Sequence, residues 1–373
     1  MSYLLLLLCI APLWFGYFIG FQIWQKRHTQ RDAYFARRLN QRRALKAAIK
    51  RQRPIVMPVA NTLAKWMNTS SLPLFHYKGI AGPAAIASAE TYAKAERYPV
   101  SNDDIFVATQ MKCGTTWMQQ LVFEILHKGQ GDLGDNGYKH MYALSPWLET
   151  TASVPIERAP LVSPYRKRII KTHLPTELCP YSEQAKYIYV TRHPVSCFAS
   201  IKDFFELLTG PFAPTKIDLL SWYNSDNMFW CSWAKHVNGW WQWSEHKDNV
   251  LFIHFEYMKA QPENTVDQLA GFLGVSLTSD EKKKVLEKSS FRYMQEHEEN
   301  FEMAAPNLFS AAAGEHHFMK SGASQRHEEI EAEDKEQIMA YVRKELKNAS
   351  YPAARFYPDL GKPKSKNTDL ESS

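Results

Sequence analysis

Cysteine is scarce in this sequence: five residues are scattered over 373 positions, and no two of them form a CxxC pair. An odd number of widely spaced cysteines excludes the disulfide framework of a small secreted domain. The missing CxxC pairs argue against a structural zinc site, and no other cluster of residues has the spacing of metal ligands. We therefore predict reduced thiols, a cytosolic environment and a chemistry without a metal.

Internal repeats are also missing, as are long low-complexity tracts after Pro54. Their absence excludes solenoids and repeat arrays, which show self-similarity every 20–50 residues or so. The composition, with 45% hydrophobic and 23% charged residues, is that of an ordinary globular chain. These features predict one large domain of about 300 residues after the N-terminal region.

Outside one block, the chain has no excess of positive charge. The net charge is +6, but residues 26–53 hold eleven Lys and Arg against the single acid Asp32, which leaves residues 54–373 at 34 minus 38, or −4. A nucleic-acid-binding domain would carry basic residues across its binding face. The charge pattern therefore gives little support to binding of nucleic acid.

The basic block follows a long apolar run, Tyr3–Trp24, which holds 22 residues without a charge. About 20 apolar residues suffice to cross a bilayer, so the run predicts one transmembrane helix. A cleaved signal peptide is the alternative, but the basic n-region and the cleavage site are missing. Positive charge on the C-terminal side places the rest of the chain in the cytoplasm. We expect the block Lys26–Arg53 to form a helix along an anionic leaflet, with a solvated linker as the alternative.

Short β-branched or apolar runs alternate with helical stretches in the rest of the chain. The predicted strands are Ile105–Ala108, Arg168–Thr172, Tyr187–Val190 and Val250–Phe255, and the predicted helices are Thr115–Leu126, Val195–Phe205 and Thr265–Leu273. Strands alternating with helices indicate an α/β fold with a mainly parallel sheet. Ligands of such sheets bind beyond the carboxyl ends of the strands, so the residues there are the candidate site.

The segment after the first predicted strand, Thr109–Trp117, has the outline of a phosphate-binding loop. Unpaired backbone N–H groups at a helix N-terminus attract anions, Gly114 permits close approach, and Lys112 adds a charge. A Walker A loop places its Lys after the second Gly, whereas Lys112 precedes Gly114 here. The loop is therefore not a consensus ATP site, and an ordinary strand-to-helix turn is the alternative.

Two further strand ends carry polar residues. The second strand leads into Lys171-Thr172-His173, although a lone His at this position is more often structural. The third strand leads into Arg192, and Ser200 follows two helical turns later. A guanidinium and a hydroxyl so placed suit a second phosphate group.

These residues resemble the signatures of the cytosolic-type sulfotransferases, which transfer a sulfuryl group from 3′-phosphoadenylyl sulfate (PAPS) and release 3′-phosphoadenosine 5′-phosphate (PAP). The family motifs YPKSGTTW, KTHLP and Arg-Asn-Pro with a Ser eight positions after the Arg are similar to QMKCGTTW, KTHLP and RHP with Ser200 in this chain. The resemblance covers roughly residues 70–325, through CSWAKHVNGWWQW, LFIHFEYMKAQP and SSFRYM. It implies a P-loop-like three-layer α/β fold with a mainly parallel central sheet, preceded here by one N-terminal transmembrane helix.

The resemblance also implies roles for single residues. His173 would be the general base, with Lys112 and Lys171 stabilising the transferring group. PAPS, the co-substrate, would be bound by Lys112, Cys113, Gly114, Thr115, Thr116, Trp117, Arg192, Ser200, Phe291, Lys320 and Gly322. The implied partners are a small, lipophilic hydroxyl or amine acceptor and the membrane, with a homodimer as a further option.

The chain departs from the family pattern in three motifs, and in the first of them Met111 stands where the family has Pro. Cys113 stands where the family has Ser, so a thiol replaces a hydroxyl in the loop. His193 replaces Asn, which we interpret as a variant of the helix start. The late RKGxxGDWK loop survives only in part, with Lys320 and Gly322 at matching positions.

The predicted organisation has four parts: an anchor at 1–25, a basic juxtamembrane segment at 26–60, a sulfotransferase domain at 61–358 and a disordered tail at 359–373. The predicted location is the cytoplasmic face of a membrane. A lumenal carbohydrate sulfotransferase is an alternative, opposed by the position of the positive charge. A P-loop kinase is opposed by the order of Lys and Gly, and a non-catalytic nucleotide-binding membrane protein by the intact Lys112 and His173.

Overall fold

The computed structural model describes residues 2–30, 34–66, 72–310 and 326–361, and the side chains of residues 2–11 and 326–327 lie outside the description. The strands are β1 (Leu74–Tyr77), β2 (Ile80–Pro83), β3 (Asp104–Thr109), β4 (Arg168–Thr172), β5 (Lys186–Thr191) and β6 (Val250–His254). The α-helices are α1 (Ser2–His28), α2 (Leu39–Trp66), α3 (Ala89–Glu96), α4 (Thr115–Leu126), α5 (Met141–Leu144), α6 (Pro194–Thr209), α7 (Lys216–Tyr223), α8 (Trp233–His246), α9 (Phe255–Ala260), α10 (Pro262–Leu273), α11 (Ser279–Lys288), α12 (Phe291–Glu296), α13 (Ala332–Glu345) and α14 (Ala353–Phe356).

The four long strands form one parallel sheet in the order β4-β3-β5-β6. Val107 pairs with Lys171, Ala108 pairs with Tyr189, and Thr191 pairs with His254. Parallel pairing brings the carboxyl ends of all four strands to one edge of the sheet. The predicted mainly parallel sheet is confirmed.

Helices cover both faces of this sheet, which gives three layers. Successive residues of β3 alternate between two hydrophobic clusters: Ile105 and Val107 pack with α4, whereas Phe106 and Ala108 pack with residues of α6 and α8. All six residues of β3 are buried. Burial on both faces explains why β3 holds a continuous apolar run in the sequence instead of an alternating pattern.

The N-terminal region folds into two long helices that pack against the domain that carries the sheet. Helix α2 runs without a break through residue 60, where the sequence predicted the boundary between the basic segment and the sulfotransferase domain. The predicted transmembrane run, Tyr3–Trp24, lies within α1, and the side chains of its first nine residues are outside the described part. Among the described residues, no helix has both the length and the hydropathy needed to cross a membrane.

The folded structure continues past residue 359, where the sequence predicted the start of a disordered tail. A 3₁₀ turn covers Pro358–Leu360, and the Leu360 side chain is buried. Asp359 bonds to His193 at the start of α6, which ties this segment to the site edge of the sheet. Of the predicted tail, residues 362–373 lie outside the description.

Candidate active site

The carboxyl ends of the parallel strands carry the residues that the sequence singled out. Thr109 ends β3, Lys171 lies near the end of β4 with His173 just beyond it, and Arg192 follows β5. The parallel register holds these ends side by side. The site is therefore built mainly from residues on or next to rigid strands.

The loop between β3 and α4 has the backbone of an anion cradle. Lys112 and Gly114 have positive φ angles of 63° and 100°, and Gly114 is the N-cap of α4. A turn of this kind exposes consecutive N–H groups at a helix N-terminus, where the helix dipole also favours negative charge. The ring of Phe255, the first residue of α9, lies directly against Gly114.

We expect Gly114→Ala to weaken both the fold and the binding of the nucleotide PAP. A Cβ at position 114 would lie 2.7 Å from Cδ2 of Phe255, and a non-glycine residue at this φ costs about 1–3 kcal/mol. Thermal unfolding and calorimetric titration with PAP measure the two losses. Gly271→Ala in α10 is the matched control, because its Cβ would meet no atom within 4 Å. Equal stability and PAP affinity in both variants would contradict the assigned role of the loop.

His173 is fixed in one tautomer by its neighbours. Its Nδ1 lies 2.7 Å from the carbonyl oxygen of Thr109, and a carbonyl can only accept, so Nδ1 carries the proton. The Nε2 atom is left as the acceptor of the ring. Burial, followed by the nearby charge of Lys171, lowers the pKa of His173 well below its usual value. A neutral imidazole with an unprotonated Nε2 has the form required of a general base.

Lys171 places a buried ammonium group beside this histidine. Its Nζ donates to the hydroxyl of Tyr142 at 2.9 Å and lies 3.5 Å from the centre of the Trp147 ring. Burial lowers the pKa of Lys171 well below its usual value; Glu149 opposes this shift, and the charge of Lys112 adds to it. Two lysines therefore raise the positive potential at one point, which suits an anionic group.

Glu149 organises the site, although sequence analysis did not single it out. Its carboxylate is fully buried and accepts bonds from the backbone N–H of His173, the Trp147 indole and the Thr172 hydroxyl, at 2.7–2.9 Å. Burial raises the pKa of Glu149, and these three bonds oppose that shift. The available signal was an acid within the apolar stretch Pro146–Thr150, because buried carboxylates need partners.

Hydroxyl groups of the loop join the same network. The hydroxyls of Thr109 and Thr115 lie 2.6 Å apart, and Nδ1 of His173 lies 3.1 Å from the Thr109 hydroxyl. The Thr116 side chain lies near the hydroxyl of Tyr142, which accepts a hydrogen bond from Lys171. The phosphate-loop residues and the lysine and histidine after β4 thus form one connected site.

Arg192 reaches the loop from the neighbouring strand. Its Nη1 lies 3.5 Å from the Lys112 carbonyl oxygen, and its guanidinium is 4.6 Å from the centre of the Phe255 ring. Ser200 lies half-buried two turns into α6. The structure thus brings the predicted 3′-phosphate residue Arg192 next to the predicted 5′-phosphosulfate loop.

Two further residues predicted to bind the nucleotide, Trp117 and Phe291, lie on α4 and at the start of α12. The Trp117 indole donates to the backbone carbonyl of Ser289 at 2.8 Å, which fixes α4 to the segment before α12. Phe291, two residues further on, is exposed. Lys320 and Gly322 lie outside the residues that the structure describes.

The two substituted residues have structural partners. The thiol of Cys113 is buried and its Sγ lies 3.2 Å from that of Cys197 on α6, so the thiol packs between the loop and this helix. His193 is the N-cap of α6, and its Nε2 lies 3.2 Å from the carboxylate of Asp359. These contacts agree with the interpretation of His193 as a variant of the helix start.

Comparisons with known proteins agree with this geometry. Residues 102–350 match the family described as the sulfotransferase domain. Rat sulfotransferase 1A1 is 31% identical over 235 residues, which cover 62% of this chain and 79% of the relative. Human sulfotransferase 2B1 is 30% identical over 256 residues, which cover 66% and 67% of the two chains.

Two solved structures share the fold. A retinol dehydratase in complex with retinol and PAP has a TM-score of 0.58 and 19% identity, over 78% of this chain and 95% of its own. A mouse sulfotransferase complexed with PAP has a TM-score of 0.56 and 21% identity, over 75% and 96% of the two chains. The likeness to these structures extends over most of the described residues.

Proposed function

The chain belongs to the sulfotransferase domain family, and from this premise we propose that it transfers the sulfuryl group of PAPS to a hydroxyl or amine of a small lipophilic acceptor, with His173 as the general base. The observation that carries the proposal is the connected site of Lys112, Lys171 and His173 at one edge of the sheet. PAPS, when bound, supplies the activated sulfuryl group.

The residues present fit this co-substrate. The positive-φ loop at the start of α4 offers backbone N–H groups to the 5′-phosphosulfate, and Lys112 and Lys171 offset its charge. Arg192 suits the 3′-phosphate, because its planar guanidinium can bind a phosphate group through two N–H donors. Trp117, which is joined to the segment before α12 through Ser289, and the exposed Phe291 are the residues proposed to flank the adenine ring.

His173 accepts the proton of the acceptor in this proposal. As the acceptor oxygen or nitrogen forms its bond to sulfur, its proton moves to Nε2, and the bond from sulfur to the phosphate oxygen breaks. The ring is held in place by the hydrogen bond that Nδ1 donates to the Thr109 carbonyl oxygen and by the bond that the His173 backbone N–H donates to Glu149. Orientation of this kind converts an encounter into a reaction within one complex.

The surroundings of His173 support a lipophilic acceptor. The rings of Trp147 and Trp230 both lie 4.9 Å from the imidazole, measured between ring centres. Aromatic faces bind apolar or flat molecules and exclude water from the reacting group. We therefore favour an alcohol, phenol or amine attached to an apolar body.

The proposal includes attachment to the cytoplasmic face of a membrane through the apolar run Tyr3–Trp24. It is supported by 22 uncharged residues followed by the basic block Lys26–Arg53, which favours the cytoplasmic side. Protease treatment of sealed cytoplasm-outward vesicles tests the orientation. Digestion of the catalytic domain supports the proposal, and protection of the domain contradicts it.

We expect both limbs of the pH profile of kcat/KM to lie at lower pH than free histidine and lysine side chains would give. The His173 base is active above its pKa, which is lowered, so activity should persist as the pH falls through 6.5. The charge of Lys171 is present only below its pKa, which is also lowered, so activity should fall before pH 10.5. Lys171→Arg, whose guanidinium keeps its charge, should remove the alkaline limb. An unchanged alkaline limb in this variant would assign the limb to another group.

Turnover of PAPS with a panel of acceptors tests the proposal as a whole. Sterols, phenols, lipophilic amines and free sugars are offered to the full chain, and PAP formation is measured beside formation of the sulfated product. We expect product only with lipophilic hydroxyl or amine acceptors. Sulfation of sugars alone would contradict the acceptor class, and PAP binding without product from any acceptor would favour a non-catalytic nucleotide-binding protein.

A further inference from the structure

The second half of helix α2 exposes apolar side chains to solvent. Pro54–Ala64 is an uncharged run of eleven residues, bounded by Arg53 and Lys65. Within and just after it, Ile55 is 50% exposed, Leu63 is 45% exposed and Trp66 is 86% exposed. Large apolar side chains exposed along one helix mark an interaction surface.

The first half of α2 is docked on the catalytic domain. Arg42 is buried and donates to the carbonyl oxygen of Lys139 at 2.9 Å and to the Asn300 side chain at 3.0 Å. Beyond it, Arg43 and Lys46 form ion pairs with Glu299 and Glu302. These contacts fix the direction of α2 relative to the domain, and three residues of the basic block, Arg42, Arg43 and Lys46, bind protein groups.

Helix α1 runs antiparallel beside the exposed half of α2. The Trp14 indole donates to the Ile55 carbonyl oxygen at 3.2 Å, and the Tyr17 hydroxyl donates to the Gln52 side chain. With residue 17 beside residue 52 and residue 14 beside residue 55, lower numbers in α1 meet higher numbers in α2. The described part of α1 also exposes apolar side chains, among them Leu13, Phe15, Ile19 and Ile23.

Two prolines interrupt the backbone hydrogen bonds of this half of α2. Pro54 and Pro58 lie inside the helix, and each removes an N–H donor and leaves a carbonyl one turn earlier without its helical partner. The Pro58 carbonyl oxygen accepts from the Thr62 hydroxyl at 2.9 Å, and the Ile55 carbonyl oxygen accepts from the Trp14 indole of the neighbouring helix. The bond from Trp14 ties this half of α2 to α1.

We propose that Pro54–Trp66 inserts into the boundary between headgroups and acyl chains of an anionic bilayer, beside α1. Eleven uncharged residues are too short to cross a bilayer and are typical of interfacial or re-entrant segments. The exposed cations Lys50, Arg51 and Lys65 flank the run and complement anionic headgroups, and Trp66 lies where interfacial tryptophans are found. The membrane attachment is thereby a helical hairpin, an inference that is independent of sulfuryl transfer and adds a second element to the anchor proposed above.

The test uses one fluorescent dye, attached to the full chain at either of two positions. Leu63→Cys is labelled with a polarity-sensitive nitrobenzoxadiazole dye, and Ile217→Cys is the control, because Ile217 on α7 is 76% exposed on the catalytic domain. The unsubstituted chain gives the labelling background; its four described cysteines are buried. Vesicles contain phosphatidylcholine with or without phosphatidylserine, and some carry a nitroxide on the acyl chain.

We expect the emission of the dye at position 63 to shift to shorter wavelength on the anionic vesicles and to be quenched by the acyl-chain nitroxide. The dye at position 217 should show neither the shift nor the quenching. If the chain floats with the vesicles but the two dyes behave alike, the anchor is α1 alone and the hairpin proposal is wrong. The dye at position 63 could instead shift in the absence of lipid, at concentrations where the chain dimerises. A second copy of the chain would then cover the surface, and the hairpin proposal would also be wrong. PAPS turnover measured on the same samples keeps these outcomes separate from the proposed activity.

Discussion

Replacing His173 by Ala should reduce turnover by about 10²–10⁴-fold while the affinity for PAP stays unchanged. The imidazole is held with its Nδ1 proton on the Thr109 carbonyl, so the group that the mutation removes is the proton acceptor Nε2. The nucleotide residues Lys112, Gly114 and Arg192 belong to other segments and keep their places. Single-turnover kinetics with PAPS and calorimetric titration with PAP measure the two properties separately.

The control for this variant is His246→Ala, which removes an exposed histidine at the end of α8. It should match the unsubstituted chain in both measurements. Loss of PAP binding in His173→Ala would show that the residue is structural. Full turnover in that variant would assign the base to another group.

Replacing Lys112 by Gln should lower kcat by about 10²–10³-fold, the effect of removing one donor that stabilises developing charge, or about 2.7–4 kcal/mol. Lys112 lies in the positive-φ loop, with Nζ 4.6 Å from the centre of the Phe204 ring. Its charge also acts on Lys171 and lowers that pKa, so the alkaline limb of the pH profile should move upward in the variant. Steady-state kinetics across pH measures both effects.

A matched control is Lys94→Gln on α3, whose ammonium pairs with Glu157 far from the strand ends. This exposed pair should contribute little to stability and nothing to turnover. If Lys112→Gln raised only KM and left kcat unchanged, Lys112 would bind the ground state and the transition state equally. Its assignment to charge development in the reaction would then be withdrawn.

Much of the fold could be predicted because a parallel sheet leaves a clear pattern in the sequence. Strands β3 and β5 hold the continuous apolar runs Ile105–Ala108 and Tyr187–Val190, since helices cover both faces of the sheet. The helix Thr115–Leu126 begins directly after Gly114, as the loop sequence indicated. The residues that follow the strands could therefore be identified as candidate site residues from the sequence alone.

The rest of the site depends on contacts between segments that are distant in sequence. Glu149 precedes the His173 that it supports by 24 residues, and Tyr142 precedes Lys171 by 29. A sequence pattern does not show which buried acid or phenol meets which strand end. The direction of the Cys113 thiol is set in the same way, by Cys197 on another helix.

The N-terminal region shows a different limit of sequence patterns. A run of basic residues predicts attraction to an anionic surface, and a bilayer was the expected one. The structure pairs Arg43 and Lys46 with Glu299 and Glu302 of the catalytic domain instead. Charge alone does not distinguish an acidic protein surface from a lipid surface, because both attract the same cations.

The most direct test of the account is calorimetric binding of PAP to the full chain, with ATP and AMP as competitors and Arg192→Ala beside the unsubstituted protein. The account predicts tight binding of PAP, weak binding of ATP and AMP, and a loss of about 1.5–3 kcal/mol, roughly tenfold to a hundredfold in Kd, on removal of the Arg192 guanidinium. Equal affinity for PAP and AMP, unaffected by Arg192→Ala, would show that the site does not recognise the 3′-phosphate. That result would contradict the placement of PAPS at these strand ends.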